Sequence, residues 1–480
     1  MEQPHATTSA YPGTASRGEA GSRHAAPAPL AGRPPSGDGV DRPLQHARIV
    51  IETLFGPSPM RPMHVQYWDG SVEHGRTDSR FTLRLNRRGA LRRMLLPPNE
   101  LSIVESYLSG DVDIDGDFES ATELADAIAV RLHSPRTLAT VVRHLVALPK
   151  GEPAPPVTEA RAEHTVEPVG KPHEAERDRA AIQYHYDVGN DFYQLWLDQR
   201  MVYSCAYFHR PDYTLDDAQR AKLDLVCRKL RLRPGERLLD VGCGWGALIM
   251  HAAEHYGVKA LGITLSDAQA ALARERIAAA GLSDRCRVEI RDYRALGDLR
   301  FDKISSVGMV EHVGVENLPT YFASLYRALV PGGLLLNHGI VSVDAAHRPS
   351  RFAWLESRVW KRNAFIEQYV FPDGRLGPLH AVIAAAEGEG FETRDAESLR
   401  EHYALTLRAW VDRLLREKER AVAIAGERIF RTWRLYMTAS AHFFSKGSIN
   451  IVQTLFAKPD ARGDSHLPMT REDILVGSFK

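Results

Sequence analysis

Leu238-Leu239-Asp240-Val241-Gly242-Cys243-Gly244-Trp245-Gly246 is the stretch that decides the fold of this chain. An apolar run carries Asp240 near its end, a Gly-x-Gly-x-Gly turn follows at once, and Ala247 to Tyr256 reads as a helix. Strand, tight turn and helix start thus succeed one another within a few residues. Such a turn needs positions without a Cβ wherever backbone must approach a ligand closely. An ordinary strand-to-helix turn accounts for the glycines alone. The acid directly before them is the second signal, since it suits a ribose-containing ligand rather than a pyrophosphate.

Outward from this point the pattern repeats. Strands are expected at 237–241, 258–264, 286–291, 302–307 and 333–340, and helices near 246–256, 266–280 and 318–329. Gly257 and Gly281 stand where C-terminal caps belong, and Pro331-Gly332-Gly333 reads as a turn before a strand. Alternating strands and helices imply a mostly parallel, doubly wound α/β sheet, whose ligands bind at the carboxyl ends of the strands. With its glycine turn, this region resembles the class I S-adenosylmethionine-dependent methyltransferases, a Rossmann-like fold. It is expected to span 178–480. Before it, 148–177 is rich in Pro, Glu and Ala and reads as a linker. Residues 46–147 read as a smaller N-terminal α+β domain, with a strand at Phe81–Leu85, a partial one from Met63 to Trp68, and helices at Leu101–Leu108 and Ala121–Leu132. Residues 1–44 are rich in small residues and Pro, and are expected to be disordered.

Composition narrows the function. The chain has 480 residues, 44% hydrophobic and 25% charged, as in a soluble globular protein. Net charge is zero, so nothing favours nucleic acid as a partner. No run of about 18 apolar residues suggests a membrane span, and no secretory signal pattern opens the chain. The four cysteines, Cys205, Cys227, Cys243 and Cys286, occur singly. They point to a reducing compartment, hence a cytoplasmic protein, with no metal site.

Each strand end offers candidate site residues. Gly242 and Gly244 let backbone meet a cofactor. The second strand ends Gly262-Ile263-Thr264-Leu265-Ser266 without the acid that usually holds ribose hydroxyls. Ser266 and Gln269 fit both a helix capping box and a cofactor contact. After the third strand, Asp292-Tyr293 suits an adenine pocket, or else a turn residue with a core Tyr. The fourth strand leads into Gly308-Met309-Val310-Glu311-His312-Val313-Gly314, and the fifth ends Asn337-His338-Gly339-Ile340. A Glu and a His on neighbouring strand ends point into one cleft.

Those pieces, with His185-Tyr186-Asp187, Tyr203-Ser204-Cys205-Ala206-Tyr207 and His402-Tyr403-Ala404-Leu405-Thr406-Leu407, resemble the cyclopropane-fatty-acyl-phospholipid synthase family and its mycolic acid relatives. The likeness runs from about Asp178 to Phe456-Ala457-Lys458-Pro459, and the N-terminal domain makes the chain similar to the two-domain phospholipid enzymes. The resemblance implies methylene transfer from S-adenosylmethionine across the cis double bond of an unsaturated phospholipid acyl chain, through a carbocation. Bicarbonate serves as the base in that family, in a pocket that maps onto Cys205, Glu311, His338, Tyr403 and the backbone N–H of Ile340. Glu311 would orient the anion rather than remove the proton itself. Cofactor contacts carry over to Tyr203, Ser204, Asp240, Gly242, Gly244, Trp245, Thr264, Gln269, Asp292 and Tyr293. Val310 departs from the aromatic often found before the Glu, which bears on pocket shape. The resemblance also implies a homodimer, peripheral contact with the inner face of the membrane and a lipid-binding N-terminal domain.

An insert at 341–380 supplies apolar groups for acyl access or for a lid: Phe352, Trp354, Leu355, Trp360, Phe365, Ile366, Tyr369, Val370 and Phe371, with Lys361 and Arg362 among them. Cations beside apolar groups suit an anionic membrane surface, at roughly 1 kcal/mol each. Ala404 to Phe444 reads as a helical run of core or dimer surface. Arg87-Arg88 and Arg92-Arg93 fit phosphate contact and a solvated face equally. The alternatives to ring formation are a fatty acyl methyltransferase that leaves a methyl or methylene branch, a small-molecule methyltransferase, and a lipid-binding protein without activity.

Overall fold

The computed structural model describes residues 41–132, 134–150, 177, 188–343, 364–371, 374 and 376–475. The expected disordered tail up to residue 40, most of the 148–177 linker, His185-Tyr186-Asp187, and Phe352, Trp354, Leu355, Trp360, Lys361 and Arg362 lie outside them.

The N-terminal region includes α1 (Arg42–Phe55), whose first residues fall inside the stretch assigned to the tail. Ala47, Val50, Ile51 and Leu54 form a buried stripe at helical spacing, and that stripe holds the helix down. Four short strands follow, β1 (His64–Gln66), β2 (Val72–Glu73), β3 (Phe81–Leu85) and, after α2 (Ala90–Leu95) and α3 (Glu100–Leu108), β4 (Val112–Gly116). They pair in the order β2-β1-β3-β4. Phe81, Leu83 and Leu85 alternate inward from β3, as their spacing predicts. Asn99 caps α3 by accepting the amide of Ser102 at 2.8 Å. Helices α4 (Phe118–Leu132) and α5 (Pro135–Ala147) complete the region.

The large region adds α6 (Asn190–Gln194), α7 (Leu215–Lys229), β5 (Arg237–Val241), α8 (Ala247–Tyr256), β6 (Lys259–Thr264), α9 (Asp267–Ala279), β7 (Cys286–Ile290), β8 (Phe301–Val307), α10 (Val310–Val313), α11 (Leu318–Ala328) and β9 (Leu329–Ser342). Then come α12 (Ala364–Tyr369), α13 (Leu379–Gly388), β10 (Glu392–Ser398), α14 (Arg400–Arg416), α15 (Lys418–Ala425), α16 (Glu427–Lys446), β11 (Ile449–Ala457) and α17 (Glu472–Leu475). The seven-stranded sheet runs β10-β11-β9-β8-β5-β6-β7. β5 to β9 are parallel, while β11 is antiparallel to both of its neighbours. The strand order reverses between β5 and β8, which opens the crevice where ligands of such sheets sit.

Three expectations needed correction. The fifth strand is longer than 333–340, because Pro331-Gly332-Gly333 is accommodated as a register irregularity within β9 rather than as a turn before it. Ala404 to Phe444 is not one helix: it breaks at Glu417 and at Gly426, whose φ of 85° disfavours side-chain-bearing residues. Neither β10 nor β11 was foreseen. β10 is a charged edge strand, and β11 is a buried run with no alternation.

The two regions share packing. Buried residues of α1, β3 and α3 belong to one apolar cluster with Trp410 of α14 and Trp433 of α16. Around it, Arg431 reaches the Tyr107 carbonyl at 3.0 Å and Asp113 at 2.9 Å, Arg428 pairs with Glu105, and Arg408 with Glu119. The basic cluster is engaged internally: Arg87 and Arg93 both pair with buried Asp111, and Arg92 holds the carbonyls of Val146 and Leu148.

Candidate active site

The glycine turn makes one wall of a cleft. Gly242 and Cys243 both donate to the Ile263 carbonyl, at 2.9 and 3.0 Å, which ties the turn to the end of β6. Gly242 has φ of 78°, and a Cβ there would lie 2.6 Å from Met309 Cγ. Gly244, at φ 53°, has open space where its Cβ would be. Asp240 is buried and accepts Ser305 Oγ at 2.7 Å from β8. Burial pushes its carboxyl up to about 6, against the pull of Ser305 and Lys222.

All ten residues expected to meet a cofactor line this one cleft: Tyr203, Ser204, Asp240, Gly242, Gly244, Trp245, Thr264, Gln269, Asp292 and Tyr293. Their side chains differ in what they leave available. Trp245 packs on Tyr193 with ring centres 5.2 Å apart and donates its indole N–H to Asn190 at 2.8 Å, so its ring acts as a wall. Ser266 caps α9 by accepting the Gln269 amide, but the reciprocal half of the capping box is absent. The Gln269 side chain instead turns to Thr264, whose hydroxyl donates to Oε1 at 2.8 Å, and its NH2 group is left as a donor. Asp292 has both oxygens engaged by Arg294, which favours the turn reading of that residue. Tyr293 packs edge-on against Tyr321.

Lys222 was missed by sequence reasoning. It lies on α7, lines the cleft, is 2% exposed and donates to Ser204 Oγ at 2.9 Å. Its signal was a charge on an apolar face, four residues after Ala218 and four before Val226.

The expected reaction-site residues fall into two linked groups. Glu311, in the short α10 after β8, accepts the Ile340 amide at 2.7 Å through Oε1. Its Oε2 is sealed from solvent with no hydrogen-bond partner among the described residues. Burial pushes this carboxyl up to about 7, and the Ile340 N–H offsets part of the rise. His338 lies across from Gln453 of β11, whose amide nitrogen faces Nδ1 at 3.3 Å. Where that amide donates, Nδ1 accepts and the proton is on Nε2, which is buried and unpartnered among the described residues. Burial, with Lys222 and Lys229 nearby, holds the imidazole well below its usual range, so it is neutral.

Cys205 and Tyr403 form the second group, joined through Leu399. The Cys205 thiol, fully buried, reaches the carbonyls of Ala206 at 3.3 Å and Leu399 at 3.7 Å. Burial pushes it up, so it is neither thiolate nor nucleophile. Leu399 accepts the Tyr403 amide and donates to Ile451, the residue that pairs with Ile340. The Ile340 N–H is taken by Glu311 and the Cys205 thiol by carbonyls, so neither stands open as the donor the resemblance implied.

Among the described residues no group of His, Cys, Asp and Glu is placed to hold a metal ion, and no helix is long and apolar enough to cross a membrane.

Comparison with known proteins now adds to this geometry. Residues 173–454 match the family described as mycolic acid cyclopropane synthetase. This chain belongs to that family. As a member of the mycolic acid cyclopropane synthetase family it is an S-adenosylmethionine-dependent methyltransferase. It is 41% identical over 415 residues to a probable fatty acid methyltransferase of Pseudomonas putida, covering 86% of this chain and 96% of that one. It is 37% identical over 429 residues to a probable fatty acid methyltransferase of Mycobacterium tuberculosis, covering 87% and 96%. Cyclopropane mycolic acid synthase 1 of Mycobacterium tuberculosis is 37% identical over 282 residues, 59% of this chain and 98% of that one. The crystal structure of mycolic acid cyclopropane synthase CmaA1 complexed with SAH and CTAB superposes with a TM-score of 0.55 at 37% identity, covering 60% of this chain and 99% of that one. Residues 50–129, within the N-terminal region, match a domain of unknown function.

Proposed function

We propose that this chain adds a methyl carbon to the cis double bond of a phospholipid acyl chain, as a fatty acid methyltransferase. The observation that carries the reading is that Glu311 Oε2, just after β8, and His338 Nε2, on the neighbouring β9, are both buried without a hydrogen-bond partner among the described residues. The names of the two relatives that match nearly the whole chain support the same substrate class.

S-adenosylmethionine held in the cleft supplies an electrophilic methyl. The alkene provides the electron pair for the new C–C bond, the C–S bond breaks toward sulfur, and positive charge is left on the acyl chain. The protein's task is then to hold negative or dipolar groups near that charge and to direct one proton away. Glu311 is fixed by the Ile340 amide with its second oxygen open, and neutral His338 offers an N–H without adding positive charge. Those two groups fit a small hydrogen-bonding anion, one as acceptor and one as donor, and bicarbonate held there would supply a base.

Ring closure, the first expectation from sequence, is a second reading and rests on that same pair. The products differ in how the cation is discharged: loss of a proton from the new methyl group with C–C closure gives the ring, the same loss after a 1,2-hydride shift gives a methylene branch, and loss of a chain proton gives a methyl-branched alkene. The described end of the 341–380 insert supports lipid access shared with the N-terminal region. Tyr369 hydrogen-bonds Glu105 of α3, and Phe371 packs 5.6 Å from His312, beside Glu311. Peripheral membrane contact, a cytoplasmic location and a homodimer complete the proposal.

Purified protein, S-adenosylmethionine and unsaturated phospholipid vesicles test it. Mass spectrometry of the fatty acid esters should show one added carbon. Proton NMR then separates the products: upfield ring signals select closure, and vinylic methylene or methyl-branch signals select the methyltransferase. No mass gain would overturn the acyl substrate.

A further inference from the structure

A buried lysine is costly unless its charge has a use, because desolvation disfavours the ammonium. Lys222 has one hydrogen bond among the described residues, to Ser204 Oγ, and no ion pair among them. It stays largely protonated at neutral pH, with burial lowering it to about 8 while Asp198 and Asp240 pull the other way. An ammonium has no lone pair, so Ser204 is the acceptor in this bond and its own O–H remains to donate.

The neighbours hold that geometry rigidly. Gln219, one turn before Lys222 and fully buried, donates to the carbonyls of Val202 and Ser204 at 3.3 and 2.8 Å. Asp198 accepts the Val202 amide at 2.7 Å. Three side chains from two directions thus fix the Val202–Ser204 segment, and Lys222 is the one that sets the Ser204 hydroxyl. Ser204 lies in the cleft wall with Gly242 and Gly244. Positive charge behind a donating hydroxyl attracts an anion and repels a cation. S-adenosylmethionine carries one anionic group, the carboxylate of its methionine part, and its other charges are cationic.

We propose that Lys222 is a positioning residue that turns the Ser204 hydroxyl outward as a charge-assisted donor to the cofactor's carboxylate. The inference rests on the cofactor assignment and is independent of the acyl substrate.

Calorimetry with two probes tests it on the full chain. S-adenosylhomocysteine has the carboxylate, and 5′-methylthioadenosine lacks the whole amino acid part. Lys222→Met should weaken S-adenosylhomocysteine by about tenfold or more and change 5′-methylthioadenosine by less than about twofold. Ser204→Ala should show the same selectivity, and the double variant should lose little beyond either single one. If Lys222→Met does not fold, Lys222→Gln, which keeps a polar donor without the charge, decides in its place. Equal losses for both probes, or no loss, would overturn the role of Lys222 while leaving the cofactor assignment intact. Failure of the unaltered chain to bind either probe would overturn both.

Discussion

Glu311→Gln should stabilise the protein at alkaline pH while disabling it. Burial raises the Glu311 carboxyl from 4.5 to about 7, a change in proton affinity worth on the order of 3 kcal/mol. Its sign follows from proton counting. Below pH 4.5 the group is protonated folded and unfolded, and contributes no pH dependence. Between 4.5 and about 7 the unfolded chain releases a proton that the native chain keeps, so stability falls as pH rises. Above about 7 the full penalty is present. Glutamine is nearly isosteric, does not titrate and can still accept the Ile340 amide. The stability gap between variant and parent should therefore widen in the variant's favour by up to about 3 kcal/mol, most of it between about pH 5 and about pH 8. Urea unfolding at those two pH values measures the gap, and comparing gaps removes any constant difference between acid and amide. Turnover should drop about tenfold or more with cofactor binding retained. A gap that does not change with pH would refute the burial argument, and undiminished turnover would remove Glu311 from the chemistry.

Further outcomes follow from other contacts. Gly339→Ala places a methyl group into Val310 Cγ1 and 3.6 Å from Glu311 Oε2, so it should displace α10 and lower turnover about tenfold, with S-adenosylhomocysteine affinity kept. Full activity would show that the Val310 side chain simply moves aside. Arg431→Ala removes bonds to Tyr107, Asp113 and Glu427 and should loosen α3 by about 2 to 4 kcal/mol. Hydrogen exchange over residues 100–116 reads this directly, and unchanged protection would contradict it. His338 should stay neutral through the pH range in which an ordinary imidazole takes up its proton, as nitrogen NMR can show, and protonation near 6.5 would mean it is not desolvated.

The parts of the fold legible in the sequence are those whose local pattern and tertiary environment agree. β5, with its glycine turn and the helix after it, combines an apolar run, obligatory backbone freedom and a helix start, so one reading fits. Phe81–Leu85 shows the same agreement through alternation. β10 was illegible because Glu392–Ser398 is an exposed edge whose pairing, not its composition, makes it a strand. The residues that line the cleft could be named because strand ends in this topology converge. What each side chain does there could not. Asp292 turns out to hold Arg294, and Gln269 holds Thr264, and both partners are chosen by geometry that spacing does not encode. Lys222 was passed over because a lysine on a helix is ordinarily solvated, and only the packed structure shows that this one is not.

β11 comes after every other strand of the sheet in the chain, yet it lies between β9 and β10 and sets Gln453 against His338. During synthesis on the ribosome, five parallel strands therefore emerge and must wait with the edge of β9 unpaired, a surface that invites wrong pairing. The imidazole has no partner to fix its tautomer until residue 453 has been made and has threaded in. A nascent or prematurely stopped chain thus carries a complete glycine turn but an unfinished version of the reaction site proposed above. The cofactor half of the enzyme is built before the half that would put a bound methyl donor to use.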